Sequence, residues 1–146
     1  EQQASELGAT ITDAKTLLRE SDVISNHMNL TAENRHFFDD AGFAAMEKHP
    51  IFLNVSRGGS VDEAALVRAL DNGLIRAAGL DVLEAEKPDL ENCALIGREN
   101  VILTPHAAFY SARSIEALQR MSCHNLTDCL TGNRAHAFKI VNGVSI

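Results

Sequence analysis

Three short polar segments, each placed where an apolar run ends, constrain the fold of this chain more than any other feature. The segments are 54–59 (NVSRGG), 80–86 (LDVLEAE) and 104–108 (TPHAA). The apolar runs before them are typical of buried strands, and 51–55 is apolar enough for a strand covered on both faces. Helical patterns separate the runs. This alternation predicts an α/β fold with a parallel sheet.

The other elements follow from turn and capping residues. We expect a short strand at 8–12, and an apolar strand at 22–25 that ends near His27. Helix starts are predicted at Asp13 and at about Ser111. Two more are predicted at Thr31, with Thr31 and Asn34 as possible capping groups, and at Asp62, which caps its helix. The remaining predictions are a helical patch at 43–46, strands at 51–55, 75–82 and 101–103, a long helix at 111–130, and a tail at 135–146 with a strand-like 139–141.

Ionisable side chains collect where these strands end: Arg57, a glutamate at position 84 or 86, and His106. The carboxyl ends of parallel strands meet at one edge of a sheet, which is where open α/β sheets bind ligands. An arginine can hold a carboxylate and polarise a carbonyl, and a histidine paired with a glutamate can pass a proton. Such a set suits the reduction of a 2-keto acid.

Charge and cysteine content narrow the function classes. The net charge of −7 argues against a nucleic-acid or membrane-surface partner, because no basic field would hold phosphates. The N-terminus has no signal-peptide pattern, so a cytoplasmic location is expected. Three cysteines without CxxC spacing predict neither a disulfide framework nor a zinc site, and no metal is expected.

One motif is absent from the sequence. A dinucleotide-binding sheet normally opens with a strand, a GxGxxG turn and a helix aimed at the pyrophosphate. No GxGxxG occurs here, and the nearest glycine cluster, Gly58-Gly59, lacks the spacing. The predicted sheet therefore resembles one that begins partway through.

Four segments in order resemble the D-2-hydroxyacid dehydrogenase family, which includes phosphoglycerate, glycerate, D-lactate and hydroxyisocaproate dehydrogenases and the C-terminal-binding corepressors. They are 21–35 (SDVISNHMNLTAENR), 54–63 (NVSRGGSVDE), 76–86 (RAAGLDVLEAE) and 100–108 (NVILTPHAA). The resemblance implies the second half of a Rossmann-type, doubly wound parallel sheet that lacks the GxGxxG opening. It implies residues 1–110 as the C-terminal portion of the dinucleotide-binding domain, and 111–146 as an interdomain helix and tail.

The resemblance also implies catalytic roles. The family's arginine, which binds the substrate carboxylate and carbonyl oxygen, falls on Arg57. Its histidine, which is the acid in reduction and the base in oxidation, falls on His106. Its glutamate falls on Glu86, counted five residues on from Asp81, and Glu84 is the alternative because Lys87 separates Glu86 from Pro88. A neighbouring carboxylate favours the protonated form of a histidine.

The implied cofactor is NAD or NADP. For Asp81 a cofactor contact and a simple loop cap are equally expected. The residues that resemble cofactor contacts in the family are His27, Asn34, Val55, Ser56, Arg57, Asp81, His106 and Ala108.

Three functional hypotheses follow. The first is an NAD(P)-dependent oxidoreductase that interconverts 2-keto acids and D-2-hydroxy acids by hydride transfer and forms a homodimer. The second is a corepressor-like protein that senses dinucleotide and binds partners. The third concerns the 146 residues themselves. Family members are roughly twice as long, as two-domain chains are, so we expect a partial chain that is inert alone and does not bind NAD measurably.

Overall fold

Four parallel strands form one sheet in the computed structural model of the protein, which describes residues 2–133. They are β1 (Val23–Asn26), β2 (Ile51–Asn54), β3 (Ala77–Leu80) and β4 (Val101–Leu103), and their spatial order follows the chain. The register aligns the last residue of each strand with that of its neighbour. The segments that follow the strands therefore start from one common edge. The predicted parallel α/β fold is confirmed.

Residues 2–133 contain five α-helices: α1 (Gln2–Glu6), α2 (Ala14–Glu20), α3 (Asp40–Ala44), α4 (Glu63–Asp71) and α5 (Ala112–Leu130). A side-chain oxygen caps each of the last four by accepting the backbone N–H three residues further on. The capping residues are Asp13, Asp39, Asp62 and Ser111. These caps satisfy N–H groups that the helix itself leaves unbonded. The starts predicted at Asp13, Asp62 and Ser111 are confirmed.

The hydrophobic core lies against one face of the sheet. Three phenylalanines stand at its centre, with the Phe52 ring centroid 4.8 Å from that of Phe38 and 5.4 Å from that of Phe43. Leu18, Leu66 and other residues of α2–α4 join them. On the opposite face Ile51 and Leu53 of β2 are only half-buried. In the described residues, the buried side chains of the helices join the core on one face of the sheet. The prediction that β2 is covered on both faces is therefore wrong for this part of the chain.

Two further sequence predictions are wrong. Residues 8–12 form no strand. Gly8 closes α1 with a backbone φ of +68°, and Leu7 and Ile11 beside it are 84% and 64% exposed, so no apolar burial stabilises a strand. Residues 31–34 form a turn and no helix. The Asn34 side chain accepts the Thr31 N–H at 2.8 Å, a local bond that competes with a helix.

The chain divides into two compact units, Glu1–His106 and Ala107–Ile146. The sheet and α1–α4 belong to the first unit, and α5 belongs to the second. In α5 the side chains of Leu118, Met121 and Leu126 are 56%, 41% and 62% exposed. Across residues 2–133, no helix is both long and apolar enough to cross a bilayer. The tail predicted at 135–146 lies outside the described residues.

Candidate active site

A cavity of about 650 Å³ opens where β2, β3 and β4 end. Arg57, Glu86 and His106 all line it, although 49 positions separate the first of them from the last. The parallel register explains this convergence, since each residue lies in the segment after its own strand. The rest of the wall is largely apolar and includes Leu30, Leu83, Leu90, Leu95, Ile96, Val101 and Leu103.

Arg57 lies three residues after the end of β2 and directly before a single turn of 3-10 helix, Gly58–Ser60. Its backbone is extended, with φ −137° and ψ 131°. The guanidinium is exposed, and its Nη1 donates to the Ser56 carbonyl oxygen at 2.8 Å. An arginine held by one nitrogen keeps other N–H donors for a ligand carboxylate.

His106 is fixed through its backbone. Its N–H donates to the Asp81 carbonyl oxygen at 2.9 Å and to the Thr104 carbonyl oxygen at 3.0 Å. Its φ of +52° lies in the left-handed region, where the conformational strain of a residue with a Cβ is of the order of 1 kcal/mol. Residues with such backbone strain persist only where the surrounding structure holds them in place, and they are often found at functional sites.

Asp81 connects the ends of β3 and β4. The residue is 3% exposed, and its Oδ1 accepts the Thr104 hydroxyl. It also lines the cavity. Asp81 therefore bonds to the segment after β4 and lies on the cavity wall, and its contact with a cofactor stays a prediction.

The two candidate glutamates lie in different surroundings. Glu84 binds Arg35 and His36, with 2.9 Å between its Oε1 and the His36 Nε2, and its own N–H donates to Glu63. Glu86 is exposed on the cavity wall. Glu84 lines the cavity as well, but its carboxylate already binds Arg35 and His36, and this engagement favours Glu86 as the partner of the histidine.

Four of the other predicted cofactor residues belong to the first unit and do not line this cavity, namely His27, Asn34, Val55 and Ser56. His27 lines a separate cavity of about 170 Å³, and its Nε2 is 2.9 Å from the Ser25 hydroxyl. Asn34 donates to the Asn29 carbonyl oxygen at 2.6 Å. Val55 is exposed, the Ser56 hydroxyl donates to the Met28 carbonyl oxygen, and Ala108 belongs to the second unit. Within the first unit the structure thus brings Arg57, Asp81, Glu86 and His106 to one cavity, and His27, Asn34, Val55 and Ser56 do not line it.

Comparison with known proteins decides the family. The model of the D-isomer specific 2-hydroxyacid dehydrogenase NAD binding domain matches residues 1–108. The chain belongs to this family. It is 43% identical over 121 residues to the glyoxylate reductase of Aeropyrum pernix, which covers 83% of the chain and 36% of that protein. It is 40% identical over 132 residues to glyoxylate/hydroxypyruvate reductase B of Klebsiella pneumoniae, covering 90% of the chain and 41% of that protein.

A solved relative shows the same fold. D-lactate dehydrogenase from Aquifex aeolicus, complexed with NAD and lactic acid, superposes with a TM-score of 0.87 at 31% identity. The match covers 99% of this chain and 48% of that protein. The chain therefore spans between 36% and 48% of the length of these relatives. The resemblance in the four motifs is confirmed as membership of the 2-hydroxyacid dehydrogenase family.

Sequence reasoning missed a group of buried polar residues in this family member. Asn26 and Asn54, which end β1 and β2, are 3% and 1% exposed, and Ser60 is fully buried. The Asn26 Nδ2 donates to the Asn54 Oδ1 at 3.0 Å and to the Ser60 hydroxyl at 2.7 Å. The sequence held one signal for them, since VISN and IFLN both end an apolar run on asparagine.

Proposed function

We propose that the chain forms part of an NAD(P)-dependent D-2-hydroxyacid dehydrogenase, an oxidoreductase that interconverts 2-keto acids and D-2-hydroxy acids. The observation that supports this most is the convergence of Arg57, Glu86 and His106 on one cavity at the strand ends. The names of two relatives, a glyoxylate reductase and a glyoxylate/hydroxypyruvate reductase, support a small 2-keto acid as the substrate.

Each of the three side chains has a distinct proposed role. Arg57 binds the substrate carboxylate and polarises the neighbouring carbonyl through its N–H donors. His106 donates a proton to the carbonyl oxygen during reduction and removes it during oxidation. Glu86 favours the protonated imidazole, because a nearby anion stabilises a cation. We assign Arg57, Glu86 and His106 as the catalytic residues.

The residues in the cavity fit the nicotinamide end of the cofactor. A flat, largely apolar ring suits the leucine-rich wall, and the buried Asp81 carboxylate can accept from a carboxamide NH₂. When bound, NAD(P) exchanges a hydride with the substrate carbon. No GxGxxG turn occurs among the 146 residues to hold a pyrophosphate. We therefore propose that this chain by itself does not bind NADH measurably, which titration calorimetry would test.

The remaining assignments are part of the same proposal. Residues 1–110 would belong to the dinucleotide-binding domain and 111–146 to an interdomain helix and tail, in a cytoplasmic homodimer. A net charge of −7 supports a protein that binds neither nucleic acid nor membrane surfaces. His27, Asn34, Val55, Ser56 and Ala108 would contact the cofactor alongside the residues of the cavity.

A chimera tests the activity. We would replace the matching segment of the Aeropyrum pernix glyoxylate reductase with this chain and follow NADH oxidation with glyoxylate. The chimera is expected to turn over, and His106→Gln is expected to lower kcat by about 100-fold or more. His124→Gln, at an exposed position in α5, serves as the matched control and should not change kcat. A folded but inactive chimera, or a fully active His106→Gln variant, would contradict the proposal.

A further inference from the structure

We propose that Asn54, supported by Asn26 and Ser60, is a positioning residue for Arg57. These three side chains are called the amide network below. The inference rests on the proposed function, in which Arg57 binds the substrate carboxylate. Its physical basis is a set of hydrogen bonds that end on the Arg57 backbone.

The Arg57 carbonyl oxygen accepts three hydrogen bonds. The Asn54 Nδ2 donates at 3.1 Å, the Ser60 hydroxyl at 2.7 Å and the Ser60 N–H at 3.3 Å. Two of these donors are side chains of the amide network. A carbonyl group bound from several directions cannot rotate without breaking bonds, so the peptide after Arg57 has one orientation.

The residue before Arg57 is held by the same network. The Asn54 Oδ1 accepts the Ser56 N–H at 3.2 Å and the Asn26 Nδ2 at 3.0 Å. The Ser56 carbonyl oxygen in turn accepts the Arg57 Nη1 at 2.8 Å. The Asn54 side chain therefore fixes the chain on both sides of Arg57, including the carbonyl to which the guanidinium is bound.

Burial makes these bonds strong determinants of position. All three members of the network are at most 3% exposed, so water cannot replace a lost partner. In residues 2–133, no buried side-chain nitrogen or oxygen lacks a hydrogen-bond partner. Removing any one of these three side chains would leave its buried partners without a hydrogen bond. Unpaired buried polar groups destabilise the fold, so the native arrangement is strongly preferred.

The network also joins Arg57 to the loop after β1. The Asn26 Oδ1 accepts the Met28 N–H at 3.0 Å, and the Ser56 hydroxyl donates to the Met28 carbonyl oxygen. Two strand-end loops are thus connected through one pair of asparagines. Arg57 would keep its orientation only while the loop at Met28 keeps its own.

The first test uses the 146-residue chain and needs no ligand. Backbone amide order parameters at Arg57 and Gly58 are measured by NMR in the wild type, Asn54→Ala and Ser60→Ala. We expect values near 0.85 in the wild type and below about 0.6 in both variants. Ser60→Ala removes only one oxygen and keeps the test decisive if Asn54→Ala does not fold.

A stability-matched control separates positioning from general destabilisation. Ile75→Val lies in the core near the opposite end of the sheet and removes one methylene from a fully buried side chain. It should lower Tm and leave the order parameters at Arg57 and Gly58 unchanged. Unchanged order parameters in Ser60→Ala, or equal losses in Ile75→Val, would overturn the inference.

The second test measures substrate binding in the chimera described above. Ser60→Ala is expected to raise the KM for glyoxylate about tenfold while the KM for NADH stays constant, because small misplacements of a substrate clamp reduce productive binding. An unchanged KM for glyoxylate would refute the positioning role. If the unsubstituted chimera is inactive, the proposed function fails, and the order parameters still decide whether the network positions Arg57.

Discussion

Replacing Gly58 with alanine should separate the two loops that carry Arg57 and Glu86. A Cβ at Gly58 would lie 1.9 Å from the Leu83 carbonyl oxygen, 2.0 Å from the Leu83 carbonyl carbon and 2.5 Å from the Glu84 nitrogen. All three atoms belong to the backbone, so no side chain can rotate away. The φ of Gly58 is not positive, so the requirement for glycine here comes from contact alone.

The size of the effect follows from that contact. Ordinary contact distances of about 3.5 Å require the two backbones to move apart by roughly 1.5 Å. Overpacking that shifts backbone costs about 3 kcal/mol. For a chain of this length, each kcal/mol lowers Tm by about 2–4 °C. We therefore expect Gly58→Ala to lower Tm by about 10 °C in a calorimetric or circular-dichroism melt.

Gly73→Ala provides the matched control. Its φ of +67° is strained for alanine, but no heavy atom beyond Gly73 and its two chain neighbours lies within 4 Å of the added Cβ. The cost should be about 1 kcal/mol, from backbone strain alone, and the fall in Tm about 3 °C. If Gly58→Ala melts no lower than Gly73→Ala, the close approach between the two loops does not control the stability of this site.

Three further predictions concern the scaffold. Phe52→Ala empties the centre of the core and should lower the free energy of unfolding by about 3–5 kcal/mol, measured in urea, whereas a loss below 1 kcal/mol would contradict the packing described. Asp62→Ala removes the cap of α4, a bond of 3.0 Å to the Ala65 N–H, and should cost about 1 kcal/mol, with Asp62→Asn nearly neutral by the same melt. The Arg68 guanidinium, which donates to Asp40, lowers the pKa of that carboxyl, so the ion pair stabilises the fold above the unfolded pKa of about 3.9 and is lost as pH falls through the folded value. The stability difference between wild type and Arg68→Met should shrink below about pH 4 in acid titrations, and a constant difference would refute this linkage.

Local signals in the sequence predict most of the fold. Each of the four described strands is a short apolar run, and Asp13, Asp62 and Ser111 begin helices where capping chemistry places them. These features depend on residues only a few positions apart. The helix start predicted at Thr31 is wrong because local signals can be ambiguous. A side chain that can cap a helix can also close a turn.

The arrangement inside the site was harder to predict because it depends on long-range bonds. The contact of Glu84 with His36 spans 48 positions, and that of Asn26 with Asn54 spans 28. The residues next to a glutamate in the sequence do not show whether its side chain is exposed or bound by an arginine and a histidine. The convergence of Arg57 and His106 was predictable, since parallel strands bring their ends together whatever the distance along the chain.

Arg57 and His106 are held by different kinds of bonds. Asn54 pairs in register with Asn26 on one side and with Leu80 on the other, so the buried amides extend from β1 to β2 and no further. Two of the three donors to the Arg57 carbonyl oxygen are side chains, whereas the His106 N–H binds two backbone carbonyls. A substitution in the amide network should therefore release Arg57 and leave the His106 backbone in place. If the proposed roles hold, substrate binding in the chimera would weaken while proton transfer to bound substrate continues.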